Sequence, residues 1–106
     1  MLCHDVFFTL KDRSPAAVAR LVDACKRQLR DHPGVVWFAV GGLEPELARP
    51  VNDRAFDVAL HVVFADRAAH DRYQDAPMHL AFIAENKEGW AQVRVFDSLV
   101  EGGVVG

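Results

Sequence analysis

Nine residues near the middle of the chain, 56 to 64, constrain the fold more than any others. Phe56, Val58, Leu60, Val62 and Phe64 alternate with Asp57, Ala59, His61 and Val63, the period of a strand whose successive side chains point to opposite faces. One face is wholly apolar and must meet a core. The other mixes Ala59 and Val63 with Asp57 and His61. Residues 4–10 repeat the pattern, with His4, Val6, Phe8 and Leu10 alternating with Asp5, Phe7 and Thr9. Residues 35–43 are apolar on both faces and include Trp37, Phe38 and Val40, which predicts a buried strand ended by Gly41 and Gly42. Val93 and Val95 alternate with Arg94 and Phe96 in a fourth strand.

Helical spacing fills the gaps. Ser14 and Pro15 supply an N-cap and a first-turn proline, and Val18, Leu21, Val22, Cys25 and Leu29 follow on one face, so a helix runs to about Asp31. His32, Pro33 and Gly34 end it. Asp66 caps a second helix whose inward positions are Ala69, Tyr73 and Ala76. Pro77 should break that helix, because proline lacks the donor and pushes the preceding residue out of helical angles. A restarted segment with His79, Phe82 and Ile83 on one face then reaches Gly89. Residues 44–54 carry Pro45, Pro50 and Asn52 among charges, a connection long enough for a lid or binding loop.

The order of strand, helix, strand, strand, broken helix, strand predicts one α+β domain over residues 1–106. It is a ferredoxin-like βαββαβ fold with an antiparallel four-stranded sheet and both helices on one face. The opposite face of such a sheet is normally wet and polar. Here Cys3, Phe7, Ala59, Val63 and Phe96 share it with Asp5, Asp57, His61 and Arg94. Two copies stacked sheet on sheet would bury those apolar groups, so the pattern predicts a homodimer.

A formal charge of -3 gives no attraction for phosphate backbones or anionic lipid, which argues against nucleic-acid and membrane partners. No apolar run approaches the roughly 20 residues of a membrane span. The opening Met1 to Asp5 has no secretory character, so a cytoplasmic protein is expected. Cys3 and Cys25 have neither a CxxC spacing nor a disulfide framework around them and read as reduced thiols.

Three stretches, His4-Asp5-Val6-Phe7-Phe8, Ala55 to Phe64 and Tyr73-Gln74-Asp75-Ala76-Pro77-Met78-His79, resemble the stress-responsive A/B barrel (Dabb) family of dimeric α/β barrels. The likeness covers nearly the whole chain and closes on Val93 to Asp97. The tyrosine, proline and histidine spacing is its most specific part. In a plant polyketide cyclase of this family the residues matching Tyr73 and His79 line a cleft and carry the chemistry. The resemblance therefore implies Tyr73 and His79 as catalytic residues, with His4, Phe8, Val58 and Phe82 as substrate contacts. Val58 stands where that cyclase has a further histidine.

The spacing has a physical sense of its own. Six residues along an unbroken helix turn the side chain by roughly 240°, so Tyr73 and His79 would diverge unless the Pro77 break re-aims the second segment. Neutral His79 could then take a proton from carbon between two carbonyls, Tyr73 could steady the enolate, and an intramolecular aldol closure could follow.

A purely structural reading stands beside this one, in which Tyr73 and His79 tie the broken helix to the sheet and His4 is a satisfied core histidine. His61 reads as an interface hydrogen bond, His32 as a helix C-terminal residue and His70 as a solvated surface group. Trp37 and Trp90 read as packing. With only His4 and His79 expected to be close, no metal site and no cofactor are predicted. Three functions compete: a cyclase or lyase acting on a small polyketide-like ligand, a noncatalytic ligand-binding or stress-associated dimer, and a monooxygenase of the related barrels.

Overall fold

A computed structural model describes residues 1–106. Its elements are β1 (Leu2–Leu10), α1 (Pro15–Gln28), β2 (Val35–Gly42), β3 (Val58–Phe64), α2 (Arg67–Asp75), α3 (Pro77–Asn86), a 3-10 turn (Lys87–Gly89) and β4 (Trp90–Leu99). The strands form one antiparallel sheet in the order β2-β3-β1-β4, which is the predicted βαββαβ arrangement. The alternation in β1 and β3 puts Val6, Phe8, Leu10, Val58, Leu60, Val62 and Phe64 under the helices, where they pack with Leu21, Cys25, Leu29, Ala69, Tyr73 and Phe82. Burying each large side chain of this set stabilises the fold by about 1.5–3 kcal/mol. No helix is long and apolar enough to cross a membrane.

The caps act as the sequence implies. Ser14 Oγ accepts from the Ala17 amide at 3.2 Å, and Asp66 accepts from the Ala69 amide at 2.8 Å. Helix α1 ends at Gln28, three residues earlier than expected, with Leu29 closing on the Cys25 carbonyl. Gly34 then takes a left-handed turn at φ 88° into β2, directly beneath Ala69, where any Cβ would sit 2.3 Å from the alanine methyl.

Three expectations need correction. Strand β2 lies at an edge of the sheet, not inside it, and leaves Val36 and Trp37 more than half exposed. An apolar run on both faces reads the same at an edge as at a centre, and only the strand order separates the two. Strand β4 spans ten residues, far beyond Val93 and Val95, because it pairs along the whole of β1. Phe56, expected on the core face of the third strand, lies in the connection before β3 and turns to the outer face. Phe56 packs on Phe7 with ring centres 5.1 Å apart, Asp53 accepts from Arg94 at 2.6 Å, and Asp57 accepts from the Leu10 amide at 2.8 Å. All three contacts hold that connection against β1 and β4, and Phe56 and Asp53 meet the outer, helix-free face.

That face carries Phe7, Phe56 and Phe96 as an edge-to-face cluster, with Phe96 53% exposed. Beside it Asp5 accepts from His61 Nδ1 at 2.6 Å. The apolar groups expected on this side are therefore present and only partly covered within one chain.

Candidate functional site

The helix break at Pro77 builds the site. Ala76 leaves helical angles, with φ -65° and ψ 140°, and Pro77 starts α3 as a new helix. The last carbonyls of α2 thereby lose their intrahelical partners. One of them, that of Gln74, is satisfied by a side chain from the new helix: His79 Nδ1 lies 3.1 Å from the Gln74 oxygen. The re-aimed segment also brings the His79 ring to 4.5 Å from the Tyr73 ring, centre to centre.

That hydrogen bond fixes the imidazole. A carbonyl oxygen only accepts, so Nδ1 donates and carries the proton, and Nε2 is left with a free lone pair in the neutral ring. Burial holds the His79 pKa below the usual histidine value, and the nearby His4, His32 and His70 act in the same sense. The N-terminal end of α3, with its positive dipole, also disfavours the cation. At neutral pH the residue is a base.

Tyr73 is 2% exposed and packs against Phe64 and His32 as well as His79. Burial raises its pKa above the ordinary phenol value, and its hydroxyl finds no hydrogen-bond partner in the chain. It stays protonated and able to donate.

His4 projects from β1 on the helix side. Its Nδ1 lies 2.5 Å from Asp97 Oδ1 on the paired strand β4, where the register sets the two residues opposite each other. The carboxylate accepts and orients the ring, leaving Nε2 as the other free nitrogen.

These groups share a cavity of about 160 Å³ beneath α3, lined by His4, Val6, Phe8, Leu29, Leu60, Tyr73, Gln74, His79, Phe82, Ile83, Trp90, Val93 and Val95. Of the residues singled out from sequence, Tyr73, His79, His4, Phe8 and Phe82 come together here. Val58 does not: it is fully buried between Phe8 and Gly42 in the sheet, and Leu60, one pleat on, takes the lining position. A larger hollow of about 300 Å³ lies on the far side of Trp90, between Lys11, Asp12, Arg20, Glu85 and Glu88, and contains neither histidine nor tyrosine.

Sequence reasoning missed four residues of this region. Asp97 and His70 converge on His4 through strand pairing and helix packing, and the His70 side chain is only 15% exposed instead of solvated. Gln74 contributes a backbone carbonyl, for which side-chain chemistry gives no signal. Trp90 forms one wall of the cavity, and its indole N–H is buried without a partner. The strand register pairs position 97 with position 4, and it is set by the tertiary pairing of β1 with β4.

A ferredoxin-like α+β domain with a histidine- and tyrosine-lined cavity between its helices and sheet is the class this geometry defines. The model of the stress-responsive A/B barrel domain (Dabb) matches residues 2–100, and the chain belongs to that family. Among solved structures it is similar to a Dabb family protein with a ferredoxin-like fold from Mesorhizobium loti, 28% identical over 95% of this chain and 97% of that one, with a TM-score of 0.78. It shares its fold with a dimeric ferredoxin-like protein of unknown function from Thermobifida fusca, 22% identical over 93% and 90% of the two chains, TM-score 0.78. It also shares it with the hydroxynitrile lyase of Passiflora edulis, 19% identical over 98% and 96%, TM-score 0.75. No curated protein matches the chain.

Proposed function

We propose that the cavity binds a small, mostly apolar carbonyl compound and that His79 removes a proton next to the carbonyl, in a lyase- or cyclase-type reaction. The observation that carries this reading is the His79 Nδ1 to Gln74 carbonyl bond, which leaves Nε2 basic in a buried apolar space. Tyr73, held protonated, donates to the developing enolate oxygen, and such a donor acts most strongly where water is excluded. His4, oriented by Asp97, is a second polar contact for the ligand. Phe8 and Phe82 supply the apolar walls, and Val58 lies opposite Phe8 on the neighbouring strand and packs beside it.

Volume narrows the substrate class. An enclosed space of about 150 Å³ holds a benzene-sized molecule. The 160 Å³ here, partly open to solvent, therefore suits a ligand of about one ring. That favours a compact lyase substrate over an extended cyclase substrate.

We further propose that two chains pair through the outer sheet face. The half-covered Phe7, Phe56 and Phe96 cluster supports this, as does the dimeric state of the Thermobifida fusca relative. The cavity lies on the opposite, helix-bearing side and stays accessible in such a dimer.

The test is exchange of α-carbon hydrogens of small ketones and aldehydes in deuterated buffer, followed by proton NMR. Wild-type protein should accelerate exchange for at least one compound of ring size, and His79→Ala should reduce that by about 100- to 10 000-fold. Saturable binding of such compounds without any exchange would instead support the noncatalytic ligand-binding reading.

A further inference from the structure

His4, His70 and Asp97 bring one ligand atom each to within 4.8 Å of one another, although they come from β1, α2 and β4. We infer that this cluster is a binding site for a divalent first-row transition ion of the zinc class, held by two imidazoles and one carboxylate at the edge of the cavity. The inference does not depend on His79 acting as a base.

The chemistry of each donor supports it. His70 Nδ1 lies 3.0 Å from Asp71 Oδ1, so that nitrogen donates to a carboxylate and Nε2 keeps its lone pair. A histidine whose second nitrogen is bound to a carboxylate is the usual state of a metal-ligating imidazole. The Gln74 amide nitrogen stands 3.4 Å from His70 Nε2, as a weak donor to that lone pair would. The His4 and His70 rings lie edge to face with centres 5.2 Å apart. Asp97 is open to water on one side, with its side chain 45% exposed, which gives an ion a way in. The cation that acts on Asp97, Arg67, is itself held by Asp71 at 2.9 Å.

Two nitrogen donors and one oxygen donor match zinc sites that keep a fourth position open. Bonds of about 2.0–2.2 Å set tetrahedral ligand atoms about 3.4 Å apart. The ion would therefore replace the proton between His4 and Asp97, opening their 2.5 Å contact by about 1 Å, while His70 closes in by a similar amount. Asp97 is 45% exposed and free to move, whereas His70, packed against His4 and Phe64, shifts with its ring still bonded to Asp71. Because His4 also lines the cavity, the open position lies close to the proposed ligand space.

Zinc is the appropriate probe, since nitrogen and oxygen sites that take iron or cobalt generally bind zinc more tightly. Tag-free protein stripped with chelator should be titrated with zinc chloride by calorimetry, and with cobalt chloride by visible absorption. The expected result is one saturable zinc per chain and a visible cobalt band, with affinity lowered at least about 100-fold in His70→Ala and in Asp97→Ala. His61→Ala, on the other sheet face, should bind as wild type does. Circular dichroism will show that His70→Ala remains folded. Absence of saturable zinc binding overturns the site, and so does binding that survives His70→Ala or is lost in His61→Ala.

Discussion

His79 Nδ1 donates to the carbonyl oxygen of Gln74 across the break between α2 and α3, at 3.1 Å. A helix interruption thus acts as a tautomer lock. The carbonyl freed by Pro77 needs a donor, the imidazole provides it, and the lone pair that remains is on the nitrogen away from the bond. The same break supplies both the geometry and the protonation state that a base requires.

Burial lowers the His79 pKa below 6.5, and the sign of its effect on stability follows. An unfolded chain protonates this imidazole near pH 6.5, whereas the folded chain does so at lower pH. Between the two values the unfolded state binds more protons, so the His79 contribution is complete above about 6.5 and is lost as pH falls. NMR titration of the His79 ring should give a midpoint under 6.5. A midpoint at or above that value would remove the argument for a neutral base.

Tyr73→Phe deletes a hydroxyl that has no partner in the chain. Stability should change by less than about 1 kcal/mol, the worth of a typical hydrogen bond, while α-carbon exchange falls roughly tenfold or more. Denaturant melts and the exchange assay on one preparation separate the two effects. A large stability loss would show that the hydroxyl is structural.

Phe7→Asp places a charge among Phe56, Phe96 and His61 on the outer face. Sedimentation velocity should find monomer for the variant and dimer for the wild type. Wild-type and variant dimers of equal size would put the interface elsewhere.

Gly34→Ala should cost at least about 2 kcal/mol in a denaturant melt. The left-handed φ of 88° strains any L side chain there, and the new methyl would meet Ala69 at 2.3 Å. Ala69 sits one turn before Tyr73 in α2, so the push is transmitted toward the cavity. Unchanged stability would mean that the β2 entry adjusts freely.

The strands with one apolar face were legible because side-chain direction in a strand has period two, and Val58 to Phe64 and Leu2 to Leu10 keep it without interruption. The caps at Ser14 and Asp66 and the break at Pro77 were equally legible, each being local chemistry. The meeting of Tyr73 and His79 could be anticipated from the proline between them. Val58 was misplaced because facing the core and lining a cavity have the same pattern in sequence. His70 was misread because its helix flank is covered by His4 and Phe64, residues from distant strands.

The sequence alone therefore determined the elements, their order, the inward face of each strand and the helix break, all set by interactions within a few residues of the chain. The tertiary structure decided which strand became an edge, which carboxylate met His4, how His70 was covered and which nitrogen of His79 was left free. Those outcomes depend on partners such as Asp97, 93 residues from His4, and on a single main-chain carbonyl whose availability no side chain encodes.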